Sequence, residues 1–289
     1  MNQPINTKRL YNKLHKELIY YSDRELKNII HKYLFLKFNI SSTDILIDRP
    51  LSIETKSKNE LKKDILKLNK GVPIQYVVGS EFFYNQKYQV NNFVLIPRPE
   101  TEELVDIIIN EEKSNIKKNI LDIGTGSGCI AISLKNNLKS DVVGIDISKE
   151  AIKVAKKNNI KNDIKFFCVP IENYAPDFLF DIIVSNPPYI PPKDMNLVED
   201  KVRNYEPHLS LFVKNDPLYF YKKILRFSKN HLSPKGKIYF EINELYYKEV
   251  KKLFSEYDHI FINDINSKRR FLIIKNLDTS TKKAKIKAG

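Results

Sequence analysis

Three alternate glycines form the first pattern in the chain that could bind a ligand. Segment 121–128 reads LDIGTGSG and lies where an apolar run changes into a helical pattern. Glycine has no Cβ, so such a loop lets the backbone approach a ligand closely. Its spacing is G-x-G-x-G rather than the G-x-G-x-x-G of a dinucleotide site, and no G-K-[ST] follows as in a P-loop. The loop therefore predicts a ligand site of another kind.

Asp146 is a second acidic landmark, 24 residues after Asp122, at the end of the next apolar run. In doubly wound folds, a carboxylate at this place accepts hydrogen bonds from both hydroxyls of a ribose. The two features together favour a ribose-containing ligand over a structural turn. In combination they resemble the class I S-adenosylmethionine-dependent methyltransferases, whose fold is a seven-stranded sheet closed by an antiparallel strand.

The segment SNPPY at 185–189 ends a later apolar run and offers hydrogen-bond acceptors. Pro187 and Pro188 have no N–H, which leaves carbonyls free; the Asn186 side-chain oxygen is a further acceptor, and the Tyr189 ring could stack. Such an array binds an NH2 group, whose nitrogen could attack a sulfonium methyl in line. Orientation and electrostatics would dominate, with no general base required. The motif alone leaves adenine N6, guanine N2 and glutamine N5 open.

Five segments narrow this choice by resemblance: GVPIQYVVGSEFFY, IPRPETEELV, LDIGTGSGCIAISL, VSNPPYIP and NYEPHLSL. Together, over about residues 20–275, they resemble the glutamine N5 methyltransferases of peptide chain release factors, the PrmC/HemK family. The resemblance implies S-adenosyl-L-methionine as methyl donor, S-adenosyl-L-homocysteine as product, and release factors as partners. The alternatives are a nucleic-acid amino-methyltransferase acting on adenine N6 or guanine N2 of rRNA or DNA, and a non-catalytic binding module.

The resemblance also implies roles for individual residues. Asn186 and Tyr189 would be catalytic, and Asn186 would also touch the cofactor. Arg98 and Thr101 could border the pocket, and Ile171, followed by Glu172, falls at the adenine-packing position. The substrate glutamine would be held by Asn186, Pro187, Pro188 and Tyr189. The cofactor's methionine and ribose would contact Gly124, Thr125, Gly126, Ser127, Gly128 and Asp146.

The hydropathy pattern indicates the elements that position these residues. Residues 1–78 show a helical period that stops at GVP, which predicts a helical, substrate-recognition domain. Alternation over 79–98 predicts a linking β-hairpin. Short apolar runs alternate with amphipathic stretches over 99–276, which predicts a Rossmann-like, mostly parallel sheet whose last two strands pair antiparallel. Residues 277–289 form a basic tail that we expect to be disordered.

Composition bounds the remaining expectations. The 289 residues have a mean hydropathy of −0.40 and no signal-like segment, so we expect a cytoplasmic protein without membrane spans, monomeric by default. Cys129 and Cys168 are predicted to be buried, and neither they nor the five histidines have metal-ligand spacing. The net charge is +14, of which residues 1–80 carry +7. A positive field attracts acidic protein surfaces or phosphates, although a codon bias towards lysine would also explain it.

Overall fold

The computed structural model describes residues 5–51 and 55–277. The predicted tail lies outside them, apart from its first residue, Leu277. The chain forms two compact units, one of residues 5–51, 55–81, 90–92 and 199–205 and the other of 82–89, 93–198 and 206–277. The exact domain boundaries expected from the sequence stay a prediction.

The first unit is mostly helical, as predicted. Its core contains four fully buried side chains, Leu14, Ile30, Leu34 and Leu68. The chain leaves the last long helix through Gly71, whose φ of 78° suits glycine and ends the helical period. The elements are β1 (Ile5–Asn6), α1 (Thr7–Glu17), α2 (Asp23–Phe38), α3 (Ser42–Leu46), β2 (Pro50–Leu51), α4 (Thr55–Leu68) and α5 (Ile74–Val78).

The predicted β-hairpin is confirmed, with strands β3 (Ser80–Phe83) and β4 (Gln86–Gln89). The two residues between them, Tyr84 and Asn85, have φ of 47° and 61°. Two consecutive left-handed residues match the twist of a two-residue hairpin turn. The Tyr84 backbone N–H donates to the Glu102 carboxylate at 3.0 Å, which helps to hold the non-glycine residue in this conformation.

A seven-stranded sheet forms the second unit, in the order β10-β11-β9-β8-β5-β6-β7. Strand β11 pairs antiparallel with β10 and β9, and the other pairs are parallel. The predicted mostly parallel sheet with an antiparallel strand is thus confirmed. The elements that follow the hairpin along the chain are α6 (Pro99–Glu112), β5 (Lys118–Ile123), α7 (Cys129–Asn137), β6 (Ser140–Asp146), α8 (Lys149–Asn158), β7 (Lys165–Cys168), β8 (Phe180–Ser185), α9 (Asp200–Tyr205), α10 (His208–Leu211), α11 (Tyr219–His231), β9 (Leu232–Glu241), α12 (Tyr247–Leu253), β10 (Asp258–Asn263) and β11 (Arg269–Asn276).

Helices cover both faces of this sheet, which explains why the central strands are apolar on both sides. One core cluster joins Ile120 and Ile182 to α6, α7 and α8. The other joins Leu121 and Ile183 to α11 and α12. Because β5, β6 and β8 are parallel neighbours, the loops after them open at the same edge, where ligands bind in such folds.

One prediction about the cysteines is wrong. Cys129 is buried at the start of α7, but Cys168 is exposed. Cys168 ends β7, which is an edge strand in which only Phe166 is buried. An apolar run at a sheet edge therefore does not guarantee burial.

Helix α9 belongs to the first unit although it lies far along the chain. Lys201 pairs with Glu25 at 3.3 Å, and the Tyr205 hydroxyl donates to the Lys70 carbonyl at 2.5 Å. These contacts were not visible in the local sequence pattern. In the described residues, no helix is long and apolar enough to cross a membrane.

Candidate active site

A cavity of about 520 Å³ opens at the carboxyl edge of the sheet, within the second unit. This volume is typical of a site for a small-molecule ligand. The structure brings nearly all the predicted site residues to its wall. These are Gly124, Thr125, Gly126, Ser127, Asp146, Ile171, Asn186, Pro187 and Pro188, together with Arg98, Thr101 and Glu172.

The glycine loop joins β5 to α7 and turns sharply at the cavity. Gly126 has φ of 53° and Gly128 has φ of 81°, a region that favours glycine. A Cβ on Gly128 would also lie 3.2 Å from Ala155 and Phe166. Gly128 thus packs the loop against the protein rather than lining the cavity, while the backbone at Gly126 stays open to a ligand.

Asp146, at the end of β6, lies across from this loop. One carboxylate oxygen accepts from the Gly126 N–H at 3.0 Å, and the other from the Ser148 N–H at 2.8 Å. Burial raises the pKa of Asp146, and these two bonds act in the opposite direction. Each carboxylate oxygen can accept more than one bond, so both keep capacity for ligand hydroxyls.

Asp122 is a buried acid beneath the glycine loop, and its sequence pattern predicted no contact for it. Its Oδ2 accepts from the Thr125 hydroxyl at 2.6 Å and from the Ala131 N–H at 3.2 Å. Its Oδ1 has no hydrogen-bond partner among the described residues. Burial raises the pKa of Asp122 to about 7. Its place at the end of an apolar strand, directly before the glycines, was the available signal.

The adenine-side prediction concerned Ile171 and Glu172, which lie in a short 3-10 helix after β7. Ile171 is buried and borders the cavity, as an apolar packing residue would. Glu172 forms an ion pair with Lys223 on α11. Burial acts against ionisation here, but the Lys223 ammonium leaves the pKa of Glu172 lower than usual. The acid is therefore already paired within the protein.

Asn186 follows β8 and is held by a chain of side-chain hydrogen bonds. Its Nδ2 donates to the Thr101 hydroxyl at 3.2 Å, and that hydroxyl donates to Glu241 Oε2 at 2.7 Å. Ser185, the last residue of the strand, donates to the Ile123 carbonyl at 2.7 Å, which joins the ends of β8 and β5. No motif in the sequence indicated a role for Glu241, the single acid in the apolar run KIYFEI.

Tyr189 lies outside the cavity wall, unlike the three residues before it. It is half-buried and packs against the core cluster of α11 and α12. Burial and the nearby Glu241 carboxylate raise its pKa. The ring therefore packs against this core in the structure, and its predicted stacking on the substrate stays a prediction.

Arg98 and Glu206 connect two parts of the cavity wall. The Arg98 guanidinium donates to the almost fully buried Glu206 carboxylate at 2.5 Å, and the Ile96 N–H donates to the same group at 3.2 Å. The ion pair ties the segment before α6 to the segment that contributes Pro207 to the cavity. Glu206 lies within the segment NYEPHLSL, but its role was not predictable from the local sequence.

We also searched the described residues for side chains that could bind a metal ion. In residues 5–51 and 55–277, no group of three or more His, Cys, Asp and Glu side chains is arranged to hold an ion.

Comparisons with known proteins show similarity to methyltransferases. The family described as "Methyltransferase small domain" matches residues 101–210, which include Thr101 and the loops after β5, β6 and β8. Among solved structures, the hMettl16 catalytic domain in complex with the MAT2A 3′UTR hairpin 6 superposes with a TM-score of 0.52 at 17% identity, over 81% of this chain and 86% of that one. At that identity the likeness concerns the fold alone.

Relatives with higher identity share one name. A release factor glutamine methyltransferase from Flavobacterium psychrophilum is 39% identical, over 82% of this chain and 86% of its own. The protein of that name from Bacteroides thetaiotaomicron is 38% identical, over 81% and 86%. One from Lactococcus lactis is 42% identical, over 75% and 80%. The fold, the motifs and these relatives show that the chain belongs to the release factor glutamine methyltransferase family, as its motifs indicated.

Proposed function

We propose that this protein transfers the methyl group of S-adenosyl-L-methionine to the side-chain amide nitrogen, N5, of the glutamine in the GGQ loop of peptide chain release factors. The bond between sulfur and methyl breaks as the bond between nitrogen and methyl forms, so the other products are S-adenosyl-L-homocysteine and one proton, which the amide nitrogen loses to solvent. The names of the relatives support this substrate. The observation that carries the proposal is the position of Asn186 and two prolines on the wall of the cavity that also contains the glycine loop and Asp146.

The residues at the cavity fit this cofactor. Asp146 keeps acceptor capacity for the two ribose hydroxyls, and the open backbone at Gly126 leaves room for the methionine part. Ile171 supplies an apolar surface for the adenine, and Asp122 adds an acidic group beneath the loop. When bound, S-adenosyl-L-methionine supplies a methyl group on a positively charged sulfur.

Asn186 and the prolines would bind and orient the substrate amide. The Asn186 side-chain oxygen and the carbonyls of the proline segment accept the N–H hydrogens of the glutamine. Accepting both hydrogens raises the electron density on nitrogen and fixes the direction of its lone pair. Preorganised acceptors of this kind act without changing their own protonation, so the site needs no general base.

The proposed reaction requires neither nucleic acid nor a second copy of the protein. We assign recognition of the rest of the release factor to the helical residues up to 78. Their excess of basic side chains suits an acidic protein partner.

The deciding experiment uses methyl-labelled cofactor and a purified release factor. We expect one label per release factor, and none when the loop glutamine is replaced by alanine. Labelling that survives this replacement would contradict the proposal. Ribosomal RNA and DNA serve as parallel substrates, and transfer to either in the absence of a release factor would favour a nucleic-acid methyltransferase instead.

A further inference from the structure

We propose that Thr101 and Glu241 are positioning residues that fix the orientation of the Asn186 side-chain amide, so that its oxygen rather than its NH2 group meets the substrate. This inference rests on the proposed function. It adds two residues that contribute through Asn186, and it explains why a neutral side chain can serve as a directed acceptor.

The three side chains form a chain of hydrogen bonds with one direction. Asn186 Nδ2 lies 3.2 Å from Thr101 Oγ1, which lies 2.7 Å from Glu241 Oε2. Thr101 is 4% exposed and Glu241 is 3% exposed, so the bond between these two side chains is shielded from water. Glu241, at the inner end of this chain of hydrogen bonds, is buried, while Asn186 borders the cavity.

The chemistry of the three groups sets that direction. An ionised carboxylate only accepts hydrogen bonds, so the ionised form of Glu241 receives the single hydroxyl hydrogen of Thr101. The Thr101 oxygen can then only accept from its other neighbour. The NH2 group of Asn186 satisfies it and the amide oxygen does not, which leaves Oδ1 for the substrate.

The orientation matters because the substrate group is itself an NH2. A rotated Asn186 amide would direct its own NH2 hydrogens at those of the substrate, and two donors do not bond. The amide nitrogen and oxygen have nearly the same shape, so packing alone discriminates weakly between the two orientations. A fixed acceptor at the carboxylate end supplies the discrimination.

The fold brings the three residues together from separate elements. Thr101 lies in the first turn of α6. Strands β8 and β9 are parallel neighbours in which Ser185 pairs with Phe240, so the next residues, Asn186 and Glu241, are at the same level. The Tyr221 hydroxyl donates to the Glu241 backbone carbonyl at 3.0 Å and holds the strand end in place.

The first test compares Thr101→Val, which removes the hydroxyl and keeps the shape, with Thr101→Ser, which keeps the hydroxyl. We expect Thr101→Val to lower kcat on the release factor by about 10- to 100-fold, the usual cost of misplacing a reacting partner. The Kd for S-adenosyl-L-methionine should stay within about twofold, and Thr101→Ser should keep most of kcat. Equal kcat values for the two variants would overturn the proposal.

A double-mutant cycle separates positioning from general destabilisation. In an Asn186→Ala background there is no amide to orient, so Thr101→Val should lower the residual kcat by less than about twofold. A full 10- to 100-fold loss in that background would mean that Thr101 acts independently of Asn186 and would overturn the proposal.

A spectroscopic readout tests the chain of hydrogen bonds from Asn186 through Thr101 to Glu241, here called the relay, without any substrate. The side-chain NH2 resonances of Asn186 in ¹⁵N-labelled protein are assigned by their loss in Asn186→Ala. They should shift in Thr101→Val and in Glu241→Gln, and stay near their original positions in Thr101→Ser. Unchanged resonances in Thr101→Val would overturn the relay, even in a protein that methylates release factors. Absence of wild-type turnover would instead contradict the proposed function and leave this readout decisive for the relay.

Discussion

Asn158 donates a hydrogen bond from its Nδ2 to the Ser127 carbonyl inside the glycine loop, at 2.9 Å. The same side chain also accepts from the Gln89 N–H at 2.7 Å and donates to the Gln89 carbonyl at 3.0 Å. Asn158 is the last residue of α8 and is 5% exposed. One buried amide therefore fixes the loop to both the helix and the β-hairpin.

We expect Asn158→Ala to weaken the binding of S-adenosyl-L-methionine by about tenfold, since a loop that must be ordered on binding costs about 1 kcal/mol or more. Titration calorimetry measures this. The matched control is Asn159→Ala: Asn159 is equally buried but donates to the Ile164 carbonyl, away from the loop. Its replacement should lower thermal stability and leave the Kd unchanged. Equal effects on Kd would show that Asn158 has only a structural role.

Asn186→Ala should leave cofactor binding nearly intact and lower turnover by about two to three orders of magnitude, because it removes an acceptor directed at the nucleophile rather than at the cofactor. Parallel calorimetry and labelling assays measure the two quantities. Unchanged turnover would remove Asn186 from the mechanism.

The buried Asp122 makes stability depend on pH. Burial raises its pKa from 3.8 to about 7, so the folded state binds a proton more tightly than the unfolded chain does. The stabilising contribution is complete below about pH 4 and is lost as the pH rises through 7. Denaturant titrations of the protein without cofactor should therefore show a falling free energy of unfolding over this range.

Two variants check that assignment in opposite directions. Asp122→Asn should flatten this fall, because no proton is exchanged. Thr125→Val should steepen it, because the Thr125 hydroxyl bonds the carboxylate and lowers its pKa. A slope that is the same in all three proteins would assign the pH dependence to other groups.

The relay through Glu241 predicts a pH profile for catalysis. Burial raises the pKa of Glu241 to about 7. A protonated Glu241 can donate to Thr101, whose own hydrogen then meets the Asn186 oxygen and reverses the amide. We expect kcat to rise with pH through about 7 and to level off above about 8. The charged and titratable groups that act on Glu241 are Arg98, Glu100, Tyr189, Tyr221 and Arg270.

The control for this profile is Glu241→Gln, measured at saturating cofactor and release factor. It should have a lower kcat that no longer changes near pH 7. An inflection that persists in the variant would assign the titration to another group and contradict the role given to Glu241.

The basic residues of the first unit predict a salt effect on recognition. Turnover of a whole release factor, as kcat/KM, should fall with added salt, since the Debye length drops from about 8 Å at physiological salt to about 3 Å at 1 M. A short peptide with only the GGQ loop should respond much less. If kcat/KM falls equally with salt for the release factor and for the peptide, the basic residues of the first unit do not take part in recognition.

Charge-reversal variants test whether this effect comes from the basic residues of the first unit. Lys16→Glu with Lys27→Glu changes two exposed residues of the first unit, and Lys156→Glu with Lys157→Glu makes the same change in net charge on α8. The first pair should reduce kcat/KM for the release factor more than the second. Equal losses would point to net charge rather than to the first unit.

The sequence by itself determined the features that depend on neighbours along the chain. Apolar runs that alternate with amphipathic stretches predicted the sheet, and the alternation of residues over 79–98 predicted the hairpin. The glycine loop and the acceptor segment at 186–188 each follow a strand directly, and Asp146 ends one. Since parallel strands end at one edge, their meeting in one cavity followed from the strand assignments alone.

Only the tertiary structure decided which distant side chains support that cavity. Thr101, Asn186 and Glu241 come from a helix and two strands, and they meet because the β8–β9 register aligns Ser185 with Phe240. Likewise, Arg98 meets Glu206 across 108 positions, and Cys168 is exposed because β7 is an edge strand. The hydropathy period shows which face of its own helix or strand a residue occupies. The partners of that residue are set by strand order and register, which depend on packing over the whole sheet.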